Sequence, residues 1–66
     1  MTNCMKVERA RHNLSQGDLA EKVGVSRQTI HAIENKKFVP SAVLAFKLAA
    51  ALQLPVTELF QLEEGD

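Results

Sequence analysis

One stretch constrains this chain more than any other: Gln16 to Lys37, QGDLAEKVGVSRQTIHAIENKK. Its apolar spacing and its breakers suit two short helices joined by a tight turn. Ser15 is placed to cap the first, because its hydroxyl can accept a free N–H of the opening turn. Asp18 sits in that turn, at the positive end of the helix dipole. Leu19, Ala20 and Val23 then share one helical face. Gly24 stands where a helix end needs a residue able to take a positive φ. Ser26 is placed to cap again, and Arg27 to Asn35 continues with Ile30 and Ile33 turned inward. Val25 fills the corner between the two helices.

This stretch resembles the helix-turn-helix of the phage Cro and repressor family, also called the XRE family. Counting from Gln16, that family has apolar residues at places 4, 8, 10, 15 and 18. Here those places hold Leu19, Val23, Val25, Ile30 and Ile33. The small residue at place 5 is Ala20, and the glycine at place 9 is Gly24. A side chain larger than Ala20 would push the second helix away, and a β-carbon at Gly24 would strain the turn. The resemblance covers about residues 5–60. It implies an all-α fold, a five-helix lambda-repressor-like DNA-binding domain.

The flanks fit that expectation. Met5 to His12 reads as a first helix with Met5 and Val7 as its apolar contacts. Glu8 departs from the family, which usually has leucine or isoleucine there, and is expected to face solvent with its methylenes over the core edge. Asn13 suits the helix end. After the motif, Phe38 to Ser41 is a loop in which Pro40 forces its predecessor extended. Ser41 opens a helix from Ala42 to about Leu52, with Leu44, Ala45, Leu48, Ala49 and Leu52 on its buried stripe. Phe46 lies off that stripe and is expected to wrap a neighbouring helix or cover Phe38. Pro55 starts a single-turn helix to Leu59 or Phe60. The alternation Phe60-Gln61-Leu62-Glu63 predicts a short extended tail paired with residues 1–4, and Glu64 to Asp66 are expected to fray.

Sixty-six residues allow one domain, 1–66, whose own core is small. Net charge is zero, which by itself argues against a nucleic-acid binder. The placement of the charges argues the other way. Residues 1–47 hold all eight Lys and Arg against Glu8, Asp18, Glu21 and Glu34, a net of +4; residues 48–66 hold four acids and no base, a net of −4. One end can meet phosphate while the other faces away. The single cysteine, Cys4, allows no internal disulfide and fits a reducing cytoplasm. No apolar run approaches the roughly 20 residues of a membrane span and no signal peptide is visible, so the expectation is a cytoplasmic protein with no membrane partner.

Periodicity turns Ser26, Arg27, Gln28, Thr29 and His31 outward on the second motif helix, the one that in such motifs enters the DNA major groove. Arg27 can take guanine O6 and N7 with two hydrogen bonds, or contact phosphate without reading a base. Gln28 can take adenine N6 and N7. Thr29 offers a methyl or a hydroxyl, and His31 is either a contact or a plain exposed residue. Gln16 can aim its amide and the free N–H groups of its helix at phosphate, as the resemblance implies. Asn35, Lys36 and Lys37 follow the recognition helix, where the family again touches the backbone. A lysine at 36, where the family often has glycine, costs strain if the position is left-handed. The resemblance also pairs Arg9 with Glu34, locking the recognition helix to the scaffold.

No enzyme is expected. Cys4, His12 and His31 are the only Cys and His, too few for structural zinc and without the cleft a nucleophile needs. No phosphate-cradling glycine loop is present, and neither a metal nor a cofactor is expected. The expected partners are double-stranded DNA and a second copy of the chain. The apolar tail within 54–66, namely Leu54, Val56, Leu59, Phe60 and Leu62, is the expected dimer surface. The expected function is sequence-specific binding of a palindromic operator by a homodimer, as a transcriptional regulator, chiefly a repressor. The alternative is a protein-interaction module, such as an antitoxin-like partner of another protein.

Overall fold

A computed structural model describes residues 1–66. Five helices, α1 (Met5–Arg11), α2 (Gln16–Val23), α3 (Arg27–Glu34), α4 (Ala42–Leu52) and α5 (Val56–Leu59), lie between two short strands, β1 (Thr2–Asn3) and β2 (Phe60–Gln61). The strands pair antiparallel, Thr2 opposite Gln61 and Asn3 opposite Phe60, so the two chain ends close over the same side of the core. The sequence expectation of five helices and a terminal pairing holds.

The helix starts follow from local chemistry. Ser15 and Asp18 form a reciprocal capping box on α2, each side chain taking the other residue's N–H at 3.0 Å. Ser26 accepts from the Thr29 N–H and Ser41 from the Leu44 N–H. These bonds satisfy N–H groups that no helical carbonyl can reach.

The helix ends share one motif. At α1, α3 and α4 a residue with positive φ (Asn13 at 55°, Lys36 at 61°, Gln53 at 60°) lets the next N–H reach back into the last turn. Leu14 reaches the Arg9 carbonyl, Lys37 that of Ala32 and Leu54 that of Ala49. At α2 the same place is Gly24, φ 78°. Only there does the sequence supply the residue that takes this conformation without a β-carbon clash. Gln53→Gly is therefore expected to raise stability by about 1 kcal/mol, or about 4–8 °C in Tm for a domain this size. Thermal melting by circular dichroism checks it; an unchanged Tm would mean that Gln53 carries no strain.

The core is one cluster of eleven apolar residues: Met5, Leu19, Ala20, Val23, Ile30, Ile33, Leu48, Ala49, Leu52, Leu59 and Phe60. Every helix contributes, and α2, α3 and α4 supply most of it. Leu44, Ala45 and Val25 are half-buried against it. Two of its members correct the reading of the tail. Leu59 is fully buried and Phe60 nearly so, and neither is free to form a dimer surface. Pairing with β1 folds the tail back and turns both inward. Leu54 and Val56 pack against the same cluster, and of the five expected interface residues only Leu62 stands well exposed, at 81%.

Helix α1 also differs from expectation. Val7 is 57% exposed, and the Glu8 side chain is largely covered and lies 3.6 Å from Arg11. The reason is spacing. Met5, Glu8, Arg9 and His12 share one face at helical intervals, and Val7 lies away from it. Met5 enters the core, Arg9 reaches α3, and the His12 Nε2–H donates to the Leu52 carbonyl at 2.8 Å, tying the end of α1 to the end of α4. Phe46, expected to wrap a neighbouring helix or cover Phe38, is 63% exposed. Residues 64–66, expected to fray, are exposed, and Asp66 makes contacts with the chain. The Glu63 N–H donates to Asp66 at 2.7 Å, and the Met1 amino group lies 2.7 Å from Asp66 and 3.0 Å from Glu63.

Candidate nucleic-acid interface

The candidate surface is built by α2 and α3. Ile30 and Ile33 fasten α3 to the core, so the opposite side of the helix must face out. Arg27, Gln28 and His31 are exposed there, and Thr29 is half-buried. The Ser26 hydroxyl is occupied twice, accepting from the Thr29 N–H at 3.2 Å and lying 2.9 Å from the Thr29 hydroxyl. Ser26 and Thr29 thus shape the helix start, while Arg27 and Gln28 are left as long polar groups with free ends, and the exposed His31 ring has the Gln16 and Asn35 amides beside it. Arg27 runs past Gly17: a β-carbon there would lie 3.9 Å from Arg27 Cδ, which places the side chain beside the start of α2.

A polar knot behind this row fixes α3 to the scaffold. The Arg9 guanidinium donates to both oxygens of Glu34, Nε at 2.6 Å and Nη2 at 3.1 Å, and its Nη1 donates to the Leu14 carbonyl at 3.0 Å. Both side chains are mostly covered, 14% and 7% exposed. The expected pair is therefore present, and its burial, which sequence alone could not reveal, is substantial. Burial pushes the Glu34 carboxyl up, but hydrogen bonds from Arg9 and then Gln16 outweigh it and hold the group below its ordinary range. The bond to Glu34 in turn raises Arg9.

Gln16 joins the knot. Its amide donates to Glu34 Oε1 at 3.1 Å and lies 3.5 Å from His31 Nδ1. One of its N–H groups is thus committed inward, and a phosphate can take only what remains. Asn35 donates to the His31 carbonyl at 2.9 Å. Lys36 lies 3.8 Å from Glu63 of the tail, so it is not the free cation expected, while Lys37 stays exposed with no acidic partner within 4.0 Å. Arg9, Gln16, His31 and Glu34 are brought together; Lys36 is drawn toward the chain ends. The sequence reading missed the docking role of His12, whose one signal was its place on the Met5 and Arg9 face.

No group of three or more His, Cys, Asp or Glu is placed to hold a metal ion. No helix is long and apolar enough to cross a membrane.

Residues 5–59 match the helix-turn-helix family. An uncharacterised HTH-type transcriptional regulator of Methanocaldococcus jannaschii is 50% identical over 66 residues, covering 100% of both chains. Antitoxin HipB of Escherichia coli is 33% identical over 57 residues, 86% of this chain and 61% of that protein. Among solved structures, the P22 c2 repressor in complex with a synthetic operator superposes with a TM-score of 0.82 at 27% identity, over 94% of this chain and 89% of that one. The restriction-modification controller protein C.AhdI of Aeromonas hydrophila gives 0.79 at 34% identity, over 85% of each.

Proposed function

The chain belongs to the helix-turn-helix family, and from that premise we propose that it binds double-stranded DNA sequence-specifically, as a homodimer on a palindromic operator. We read it as a transcriptional regulator that represses by occupying a promoter. The observation that carries this reading is the exposed row Arg27, Gln28 and His31 on a helix that the Arg9–Glu34–Gln16 knot holds in place. A major groove accepts such a helix, and long polar side chains projecting from it can reach base edges. The basic margin at Lys37 supplies the phosphate contact that sets register. The superposable repressor bound to an operator supports the same reading.

Three reading side chains per copy give little discrimination, since each good base pair contact adds roughly 1–3 kcal/mol. Two copies double it and match a palindrome with half-sites about 34–36 Å apart. Selection of bound DNA from a random pool tests the proposal directly; no enrichment at low salt would overturn it. On the selected site, Gln28→Ala is expected to cost about 10-fold or more in affinity and to relax preference at one position per half-site. Competition binding against single-base variants checks this, and an equal loss on every sequence would remove the base-reading assignment.

A second reading, a module that binds another protein as an antitoxin does, is favoured by the likeness to HipB. Binding driven by apolar contacts responds weakly to salt, and that separates the two.

A further inference from the structure

The two chain ends meet at the end of the recognition helix, and local bonds fix where they lie. Asn3 pairs with Phe60 across the strands. Its side chain accepts from the Met5 N–H at 3.1 Å and donates to the Ile33 carbonyl at 3.0 Å. Strand β1 is thereby fastened to the last turn of α3, and β2 comes with it. Glu63 stands three residues past Phe60, and Lys36 three past Ile33. Their side chains meet, Lys36 Nζ lying 3.8 Å from Glu63 Oε1. The Met1 amino group, 3.0 Å from the same oxygen, holds the carboxylate in place. We infer that the acidic segment 63–66 is a built-in phosphate mimic, which occupies Lys36 until duplex DNA displaces it and so lowers affinity for every sequence alike. The inference rests on the DNA-binding reading above and adds a brake to it.

Three observations carry it. The first is charge. Glu63, Glu64 and Asp66 fall within the last four residues, with no base among them. Asp66, whose carboxyl the Met1 amino group and the Glu63 N–H hold below its ordinary range, also feels the Lys36 charge. The second is place. Lys36 belongs to the basic margin that follows the recognition helix, and a carboxylate meets its ammonium as a phosphate oxygen does. Lys37, the next residue, has no acidic partner within 4.0 Å, so the segment engages one of the two lysines and leaves the other open. The third is exchange. The Lys36 and Glu63 side chains are 54% and 45% exposed, so an incoming phosphate reaches the pair, and a pair in water is weak enough to open. The covered Arg9–Glu34 pair is the contrast, closed off from any such exchange.

Fluorescence anisotropy of the full chain against a non-specific duplex tests this, with Glu63→Gln, Glu64→Gln and Lys36→Ala alongside. All three positions are exposed, so Tm is expected to stay within a few degrees of the parent. Glu63→Gln is expected to bind about 3-fold tighter or more at 50 mM salt, as loss of a competing exposed pair allows. Its slope of log K against log salt is expected to steepen, because the freed Lys36 then releases a counterion of its own. Glu64→Gln removes the same charge one residue on, without the Lys36 contact, and is expected to change affinity by less than about 2-fold. In the Lys36→Ala background, Glu63→Gln is expected to gain nothing. A Glu63→Gln protein that binds like the parent overturns the inference. An equal gain from Glu64→Gln overturns it too, since net charge alone would then be at work, and so does a gain that persists without Lys36. A parent that binds no duplex even at 50 mM salt ends the DNA-binding reading, and the brake falls with it; a parent that binds while Glu63→Gln changes nothing ends the brake alone.

Discussion

Arg9→Ala is expected to cost about 3 kcal/mol of folding stability, because it strands a covered carboxylate. A domain of this size has roughly 3–10 kcal/mol in all, so the loss removes from about a third of its stability to all of it. The geometry sets the size of the effect. Arg9 spends three donors at once, two on Glu34 and one on the Leu14 carbonyl, and a lysine cannot reproduce that fork. Arg9→Lys should therefore rescue little. Urea denaturation followed by circular dichroism measures it, and a midpoint within error of the parent would show that the pair holds nothing together. Acid adds a second test. The Glu34 carboxyl titrates below its ordinary value of 4.5 in the folded state. Its contribution is fully present above that ordinary value and is lost as pH falls through the depressed one. Glu34→Gln should destabilise at neutral pH and flatten the fall in stability below pH 4.5. An acid profile identical to the parent's would place the acid sensitivity elsewhere, with Asp18 the next candidate, held low by the Ser15 N–H.

That knot also shows what could be seen in the sequence and what could not. The α2–α3 corner was legible because each requirement is local: a cap, a small residue, a glycine and a branched stripe at fixed intervals. The elements at either end were legible as elements but not as surfaces. A four-residue helix followed by two strand residues has too little period to say which side is buried. Leu59 and Phe60 thus read as exposed tail, although the pairing with Thr2 and Asn3 turns them into the core. In α1 the buried face is mostly polar, and a search for apolar spacing picks Val7 over Arg9 and His12. Their partners are 25 and 40 residues away, so the Arg9 bond to Glu34 was expected from the resemblance alone and nothing announced the His12 bond to Leu52. Lys36 combines both cases. Its strained φ was foreseeable from the family's glycine, while its approach to Glu63 depends on how the chain ends close.

Operator affinity is expected to fall about 100-fold between 50 and 200 mM salt, the loss that about four phosphate contacts give. Exposed cations at the interface supply the count. Lys36 and Lys37 give two per copy and four per dimer, with the helix N-terminus at Gln16 adding uncharged donors. The cations do not contribute equally. Lys36 already faces Glu63, and moving it onto phosphate exchanges one weak, exposed pair for another. Lys37 has no such partner, and its transfer to phosphate releases a counterion outright. Lys37→Ala should therefore weaken binding to all sequences alike and flatten the slope of log K against log salt by about one per half-site. Lys36→Ala should flatten it less. Fluorescence anisotropy titrations at four salt concentrations give the slopes. A parent slope near zero would mean that apolar contacts, not phosphates, hold the partner, and the protein-binding reading would take the place of the DNA-binding one. Equal effects of the two lysines would show that the Glu63 contact does not compete for Lys36 in solution.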